Sequence, residues 1–140
     1  MKKRKVLFVD ESGGAWPWRR QLPEENDVWG DSAYTFSVDC TGGYDWLVVY
    51  SAWPDVELLT SVPRSRRIFV AGEPESFHRY QDRFLGQFGT VITTQRRMRH
   101  PGAIFMQPGI NWFAGVRFLG GPERFRSMLD FADFEAGAPP

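Results

Sequence analysis

The chain is poor in the residues that most often announce chemistry. It has one cysteine, Cys40, and two histidines, His78 and His100, in 140 residues. A lone cysteine excludes an internal disulfide and supplies no zinc set, so Cys40 reads as a buried or incidental thiol. The histidines lack metal-ligand spacing, and His78 is most simply a surface residue. There is no excess of either charge: 17 basic and 17 acidic residues sum to zero. General electrostatic attraction to nucleic acid or anionic lipid is therefore not expected. Long apolar runs are missing as well. Lys2-Lys-Arg-Lys followed by Val6-Leu-Phe-Val superficially looks like a secretion signal, but Asp10 ends the apolar run. That run is too short for a signal core or a membrane span. The expected location is the cytoplasm, either free or peripheral to a membrane.

Two nucleotide chemistries fail on missing residues. Gly13-Gly14 has neither the spacing of a phosphate loop nor a following Lys-Ser/Thr. A response-regulator receiver would need an aspartate where Tyr50 or Ser51 stands, and a lysine on a late strand. All three lysines, Lys2, Lys3 and Lys5, precede the first apolar run.

What is present is apolar and aromatic residues enough for one domain with a real core, 12 phenylalanines and six tryptophans among them. Strands are expected at Val6–Asp10, Tyr34–Val38, Asp45–Ser51, Arg66–Ala71, Thr90–Thr94 and Ala103–Met106, each a short run rich in β-branched or aromatic residues. Residues 11–31 read as loop, and Trp53–Pro63 as one or two helical turns. From Phe77 the apolar residues Tyr80, Phe84, Leu85 and Phe88 adopt helical spacing, with Gly89 as a C-cap. Gly120-Gly121-Pro122 opens a last predicted helix with Phe125, Met128, Leu129 and Ala132 on one face. The expected fold is α/β and Rossmann-like, a mostly parallel sheet with flanking helices.

The most informative junction is Gly72-Glu73-Pro74, between the strand from Arg66 and the predicted helix. In open α/β sheets ligands bind outside the carboxyl ends of the strands. A carboxylate at a helix start is favoured in its ionised form, which suits a general base. The plainer reading is a helix-start carboxylate, a role Glu75 could share while Ser76 caps.

The stretch Ile68-Phe-Val-Ala-Gly-Glu-Pro-Glu-Ser-Phe77 continues through Tyr80, Phe84-Leu-Gly-Gln-Phe88 and Val91-Ile-Thr-Thr94. With His100-Pro101, Phe105-Met-Gln-Pro-Gly109 and Asn111-Trp112, it resembles family-10 glycosyltransferases, the α-1,3/1,4-fucosyltransferases. Val6-Leu-Phe-Val-Asp10 and Tyr44-Asp-Trp-Leu-Val-Val-Tyr50 are similar to that family's opening strands. The likeness runs from about Lys5 to Gly115 on short, loosely spaced motifs. It implies the N-terminal, acceptor-side half of a two-domain GT-B enzyme over residues 1–135, with Ala136–Pro140 as a linker-like tail and the donor-binding domain absent. It also implies Glu73 as catalytic base, GDP-fucose as donor co-substrate, a glycan acceptor, and neither metal nor cofactor.

Arg96-Arg97-Met98-Arg99-His100 has two readings, a solvated loop or a clamp that grips phosphate or carboxylate through arginine forks. Trp46 reads as core, inside a strand. Trp16, Trp18, Trp29, Trp53 and Trp112 fall in predicted loops, where rings either line a sugar site or serve as core lids. The candidate set is Glu73 as catalytic residue and Trp16, Trp18, Asn111, Trp112, Arg96 and Arg97 as substrate-binding residues. The expected function is inverting fucosyl transfer. The alternatives are a non-catalytic glycan-binding or remnant domain, and an α/β interaction module without sugar chemistry.

Overall fold

The computed structural model describes residues 2–10, 18, 27–37, 39, 41–51, 60–107, 116–118 and 125–127. Its centre is a sheet of seven strands: β1 (Arg4–Asp10), β2 (Val28–Trp29), β3 (Ser32–Phe36), β4 (Trp46–Tyr50), β5 (Arg67–Val70), β6 (Thr90–Thr93) and β7 (Ala103–Phe105). The spatial order is β2-β3-β1-β4-β5-β6-β7. Six of these strands run parallel, and only the two-residue β2 pairs antiparallel, with β3. An α/β sheet of Rossmann-like kind is therefore present. The chain adds β3 on one side of β1 and then builds outward on the other side from β4. Strand order thus reverses between β1 and β4, and such a switch point opens a crevice at the carboxyl ends of the strands.

One face of the sheet carries the buried core, and the other is half-buried among the described residues. In register across one face lie Leu7 and Leu47, then Val9, Val49, Phe69 and Val91, all buried. Over them pack Tyr80, Leu85 and Phe88, with Phe84 partly buried beside them. Phe69 is the hub, with the rings of Tyr80, Phe84 and Phe88 at 4.7, 5.1 and 5.3 Å. Burying a side chain of that size contributes about 1.5–3 kcal/mol. The opposite face carries a second aromatic group. Phe8 lies 4.6 Å from Trp18, 5.6 Å from Phe36 and 6.2 Å from Tyr50, ring centre to ring centre.

Helix is scarce among the described residues. The helix expected from Ser76 is a single turn, α1 (Asp82–Leu85), preceded by a turn in which Pro74 O accepts from the N–H groups of Phe77 and His78. Phe77, expected on the core face, is 80% exposed. Leu85 reaches the core from α1, whereas Tyr80 and Phe88 reach Phe69 from outside that turn, so helical spacing is met with a single turn of helix. Gly89 is no C-cap, since Gly86 follows the helix. Instead Gly89 lets the start of β6 lie against the turn before β5. A Cβ there would sit 2.7 Å from Arg64 O and 2.9 Å from Ser65 Cα.

A short 3-10 turn (Arg64–Arg66) leads into β5. The last predicted helix is corrected where it is described: Phe125–Ser127 is strand β9, antiparallel to β8 (Val116–Phe118). The helical turns expected within Trp53–Pro63 fall mostly on residues 52–59, and the tail 136–140 also lies outside the described residues. Trp46 is half-buried rather than core. Among the described residues no helix is long and apolar enough to cross a membrane.

Candidate functional site

Four strands end side by side at the carboxyl edge, and their exits bring together residues far apart in sequence. β1 ends at Asp10, a carboxylate only 5% exposed. Its Oδ2 accepts a 2.8 Å hydrogen bond from Trp18 Nε1. Burying a carboxylate is costly unless donors meet it, and an indole N–H is such a donor. Trp18 in turn packs edge-on against Tyr50 at 5.1 Å, next to Asp10 in the β1–β4 register.

After Tyr50 the backbone breaks its strand geometry. Ser51 has φ of 62°, among the described residues the only non-glycine with positive φ. That conformation costs an L-residue about 1–2 kcal/mol. Its N–H donates to Val70 O at 2.8 Å, which pins the turn to β5. Gly72 faces it: a Cβ at Gly72 would lie 3.1 Å from Ser51 Oγ and 3.3 Å from Tyr50 Cζ. Close approach favours glycine here, because a Cβ would make Ser51 or Tyr50 give way by a few tenths of an ångström. Strained residues of this kind gather at ligand sites, where packing over-determines them.

Glu73 follows directly, at the carboxyl edge of β5 and half-exposed. Among the described residues its carboxylate has no hydrogen-bond or ion-pair partner. Its backbone is held instead: Gln95 Nε2 donates to Glu73 O and to His78 O, both at 2.9 Å. Gln95 is buried just after β6, so two strand exits are clipped together. Because α1 begins only at Asp82, Glu73 does not stand at a helix N-terminus, and the expected support from a helix dipole is absent. Glu75 caps nothing either; it pairs with Arg79 at 3.0 Å on the surface. Ser76 is exposed and starts no helix.

The other candidates divide by position. Trp18 lies at the same edge as Glu73, linked to it through Tyr50 and Gly72, but it is 7% exposed, with Phe8 and Tyr50 against its ring. It is a packing residue rather than an open stacking platform. Arg96 and Arg97 are exposed in the turn after β6, on the edge shared with Glu73. The Arg96 guanidinium lies 5.7 Å from the centre of the Phe105 ring on β7, on the side of β6 away from β5. Arg97 has no partner among the described residues. Trp16, Asn111 and Trp112 lie outside the described residues, as do Trp53, Cys40 and the side chain of Trp29.

His78 is exposed with its ring 4.5 Å from that of Tyr80, and His100 Nδ1 accepts from Gly102 N–H within a turn. Among the described residues no three His, Cys, Asp or Glu side chains cluster as a metal site.

Sequence reasoning missed Asp10, Tyr50, Ser51 and Gln95. A carboxylate closing an otherwise apolar strand, Val6-Leu-Phe-Val-Asp10, was the available signal for the first. Nothing in the sequence marks a serine for positive φ.

No protein-family model matches the chain, and neither a curated protein nor a solved structure matches it.

Proposed function

We propose that this chain is the acceptor-side domain of an inverting, fucosyltransferase-like glycosyltransferase, with Glu73 as general base. One observation carries the reading. Glu73 stands half-exposed at the carboxyl edge of a parallel sheet, one strand from the switch point, with its carboxylate unengaged among the described residues. The motif resemblance around Gly72-Glu73-Pro74 supplies the chemistry.

In that chemistry Glu73 takes the proton of the attacking acceptor hydroxyl. The acceptor oxygen bonds to the anomeric carbon of fucose, and the bond from that carbon to GDP breaks with its electron pair on the diphosphate. Attack from the face opposite the leaving group inverts the centre. General-base assistance of this kind is worth about 10²–10⁴-fold. The leaving diphosphate needs positive charge, to which Arg97 contributes beside a donor-binding half. Half-buried Tyr50, with Asp10 and Trp18 packed behind it, faces the acceptor side, and the resemblance adds Trp16, Asn111 and Trp112 there. The reaction calls on no metal or cofactor, and its setting is the cytoplasm.

A second reading, a glycan-binding or remnant domain without catalysis, is favoured by the single-turn helix. It leaves Glu73 without the helix-start field that would stabilise an ionised base. The deciding experiment incubates GDP-fucose and a glycan panel with this chain, alone and joined to a donor-binding domain. Fucosylated product from the joined protein supports catalysis. Glycan binding by calorimetry without product supports the second reading, and neither binding nor product removes both.

A further inference from the structure

The amino edge of the sheet, opposite Glu73, holds a feature that fucosyl transfer does not use. An open cleft of about 430 Å³ lies there, lined by Lys2, Lys3, Arg4, Asp45, Trp46 and Arg66. Four cations thus face one carboxylate, in a chain whose formal net charge is zero. All four are exposed, and Lys2, Lys3 and Arg66 have no partner among the described residues. Arg4 has only a loose ion pair with Asp31, at 3.4 Å with both side chains about half in solvent.

The cleft is built rather than incidental. Asp45 is held in place, its Oδ2 accepting the Lys5 backbone N–H at 2.9 Å, and one carboxylate leaves most of the positive charge unbalanced. The same two residues are tied again by Asp45 N–H to Lys5 O at 2.8 Å, so β1 and the entrance to β4 are locked together. Arg66 sits on a turn held from both sides. Arg64 Nε donates to Phe88 O at 3.2 Å and Arg67 Nε to Val62 O at 2.7 Å. Half-buried Trp46 supplies a flat apolar wall.

We propose that this amino-edge cleft binds clustered phosphate groups, with Lys3 and Arg66 as the principal contacts. Lysines just before β1 and an arginine in the turn before β5 line one cleft, and such donors match adjacent phosphate oxygens; the volume is that of a small-ligand cleft. The ligand chemistry is a diphosphate or a close pair of phosphates. It can be presented by a soluble metabolite or by the headgroups of an anionic bilayer, where clustered basic residues beside a tryptophan also settle.

The test uses the full chain at low salt in two arms. In the first, inorganic pyrophosphate is titrated by calorimetry, with backbone amide shifts followed at Lys5 and Trp46. In the second, the chain is sedimented with phosphatidylcholine vesicles, with and without phosphatidylserine. The variant K3Q/R66Q should weaken binding at least 10-fold with its thermal melt unchanged, since both side chains are exposed. Raising salt from 50 to 200 mM should weaken it further. Pyrophosphate binding lost in K3Q/R66Q supports the cleft with a soluble ligand. Sensitivity confined to phosphatidylserine vesicles supports it with a headgroup. No binding in either arm overturns the proposal. So does binding that K3Q/R66Q leaves intact, or that R96Q/R97Q at the opposite edge abolishes.

Discussion

The side-chain amide of Gln95 donates to two carbonyls at once, Glu73 O and His78 O, each at 2.9 Å. One buried side chain therefore fixes both ends of the loop that carries the candidate base. Gln95→Ala should destabilise the chain by about 1–3 kcal/mol, because each carbonyl loses a buried donor. Urea denaturation measures the loss, and hydrogen exchange should rise first over residues 73–78. Equal stability with unchanged exchange would show that the clip does not hold the loop.

Ser51 and Gly72 should behave as one unit. Gly72→Ala places a methyl 3.1 Å from Ser51 Oγ and 3.2 Å from Ser51 Cβ, closer than ordinary packing. The expected cost is about 1–3 kcal/mol. Ser51→Gly removes the atoms in the way and tolerates the positive φ. The double variant should recover much of the loss, a coupling of about 0.5–3 kcal/mol in a double-mutant cycle. Strict additivity would mean the two residues do not meet.

Glu73→Gln keeps size and hydrogen-bonding capacity while removing the proton acceptor. In a protein carrying both the acceptor and donor halves, turnover should fall about 10²-fold or more with acceptor binding retained. The 140-residue chain on its own is expected to yield no fucosylated product. Holding donor and acceptor in line accounts for about 7–11 kcal/mol of such a barrier. Turnover indifferent to Glu73→Gln would remove Glu73 as the base.

One pH dependence follows from the loop after β3. The Thr41 hydroxyl, and after it the Thr41 backbone N–H, hold the exposed Asp39 carboxyl below its ordinary value. The N–H contact measures 2.9 Å to Oδ1. With the folded value lower than the unfolded one, the fold favours the ionised form. The small stabilisation is therefore present above the unfolded value and is lost as pH falls through the folded one. A carboxyl-carbon NMR titration of Thr41→Val should show the Asp39 midpoint moving up. An unmoved midpoint would remove the hydroxyl as the cause.

The strands were legible because their signal is local. Val6-Leu-Phe-Val and Trp46-Leu-Val-Val-Tyr are apolar, β-branched and short, and a buried parallel strand needs little else. The position of Glu73 at a strand exit followed from the same signal. The helix after it did not. Tyr80, Leu85 and Phe88 are spaced for a helix, yet only Leu85 lies in one, and Tyr80 and Phe88 pack on Phe69 from backbone outside it. Apolar spacing picked out Tyr80, Leu85 and Phe88 as packing residues but not the backbone that carries them, and it wrongly added Phe77.

By itself, then, the sequence determined where the strands of the sheet lie and the strand exit at which Glu73 emerges, since each depends on residues adjacent in the chain. Tertiary structure alone decided the rest. Trp18 meets Asp10 at the end of β1 and Gln95 meets Glu73 across two strand exits, while Ser51 turns left-handed against Gly72. Net charge gave no hint of the basic cleft, because charge is summed along a chain but felt in space. Lys3 and Arg66 become neighbours only when the amino ends of β1, β4 and β5 are laid side by side.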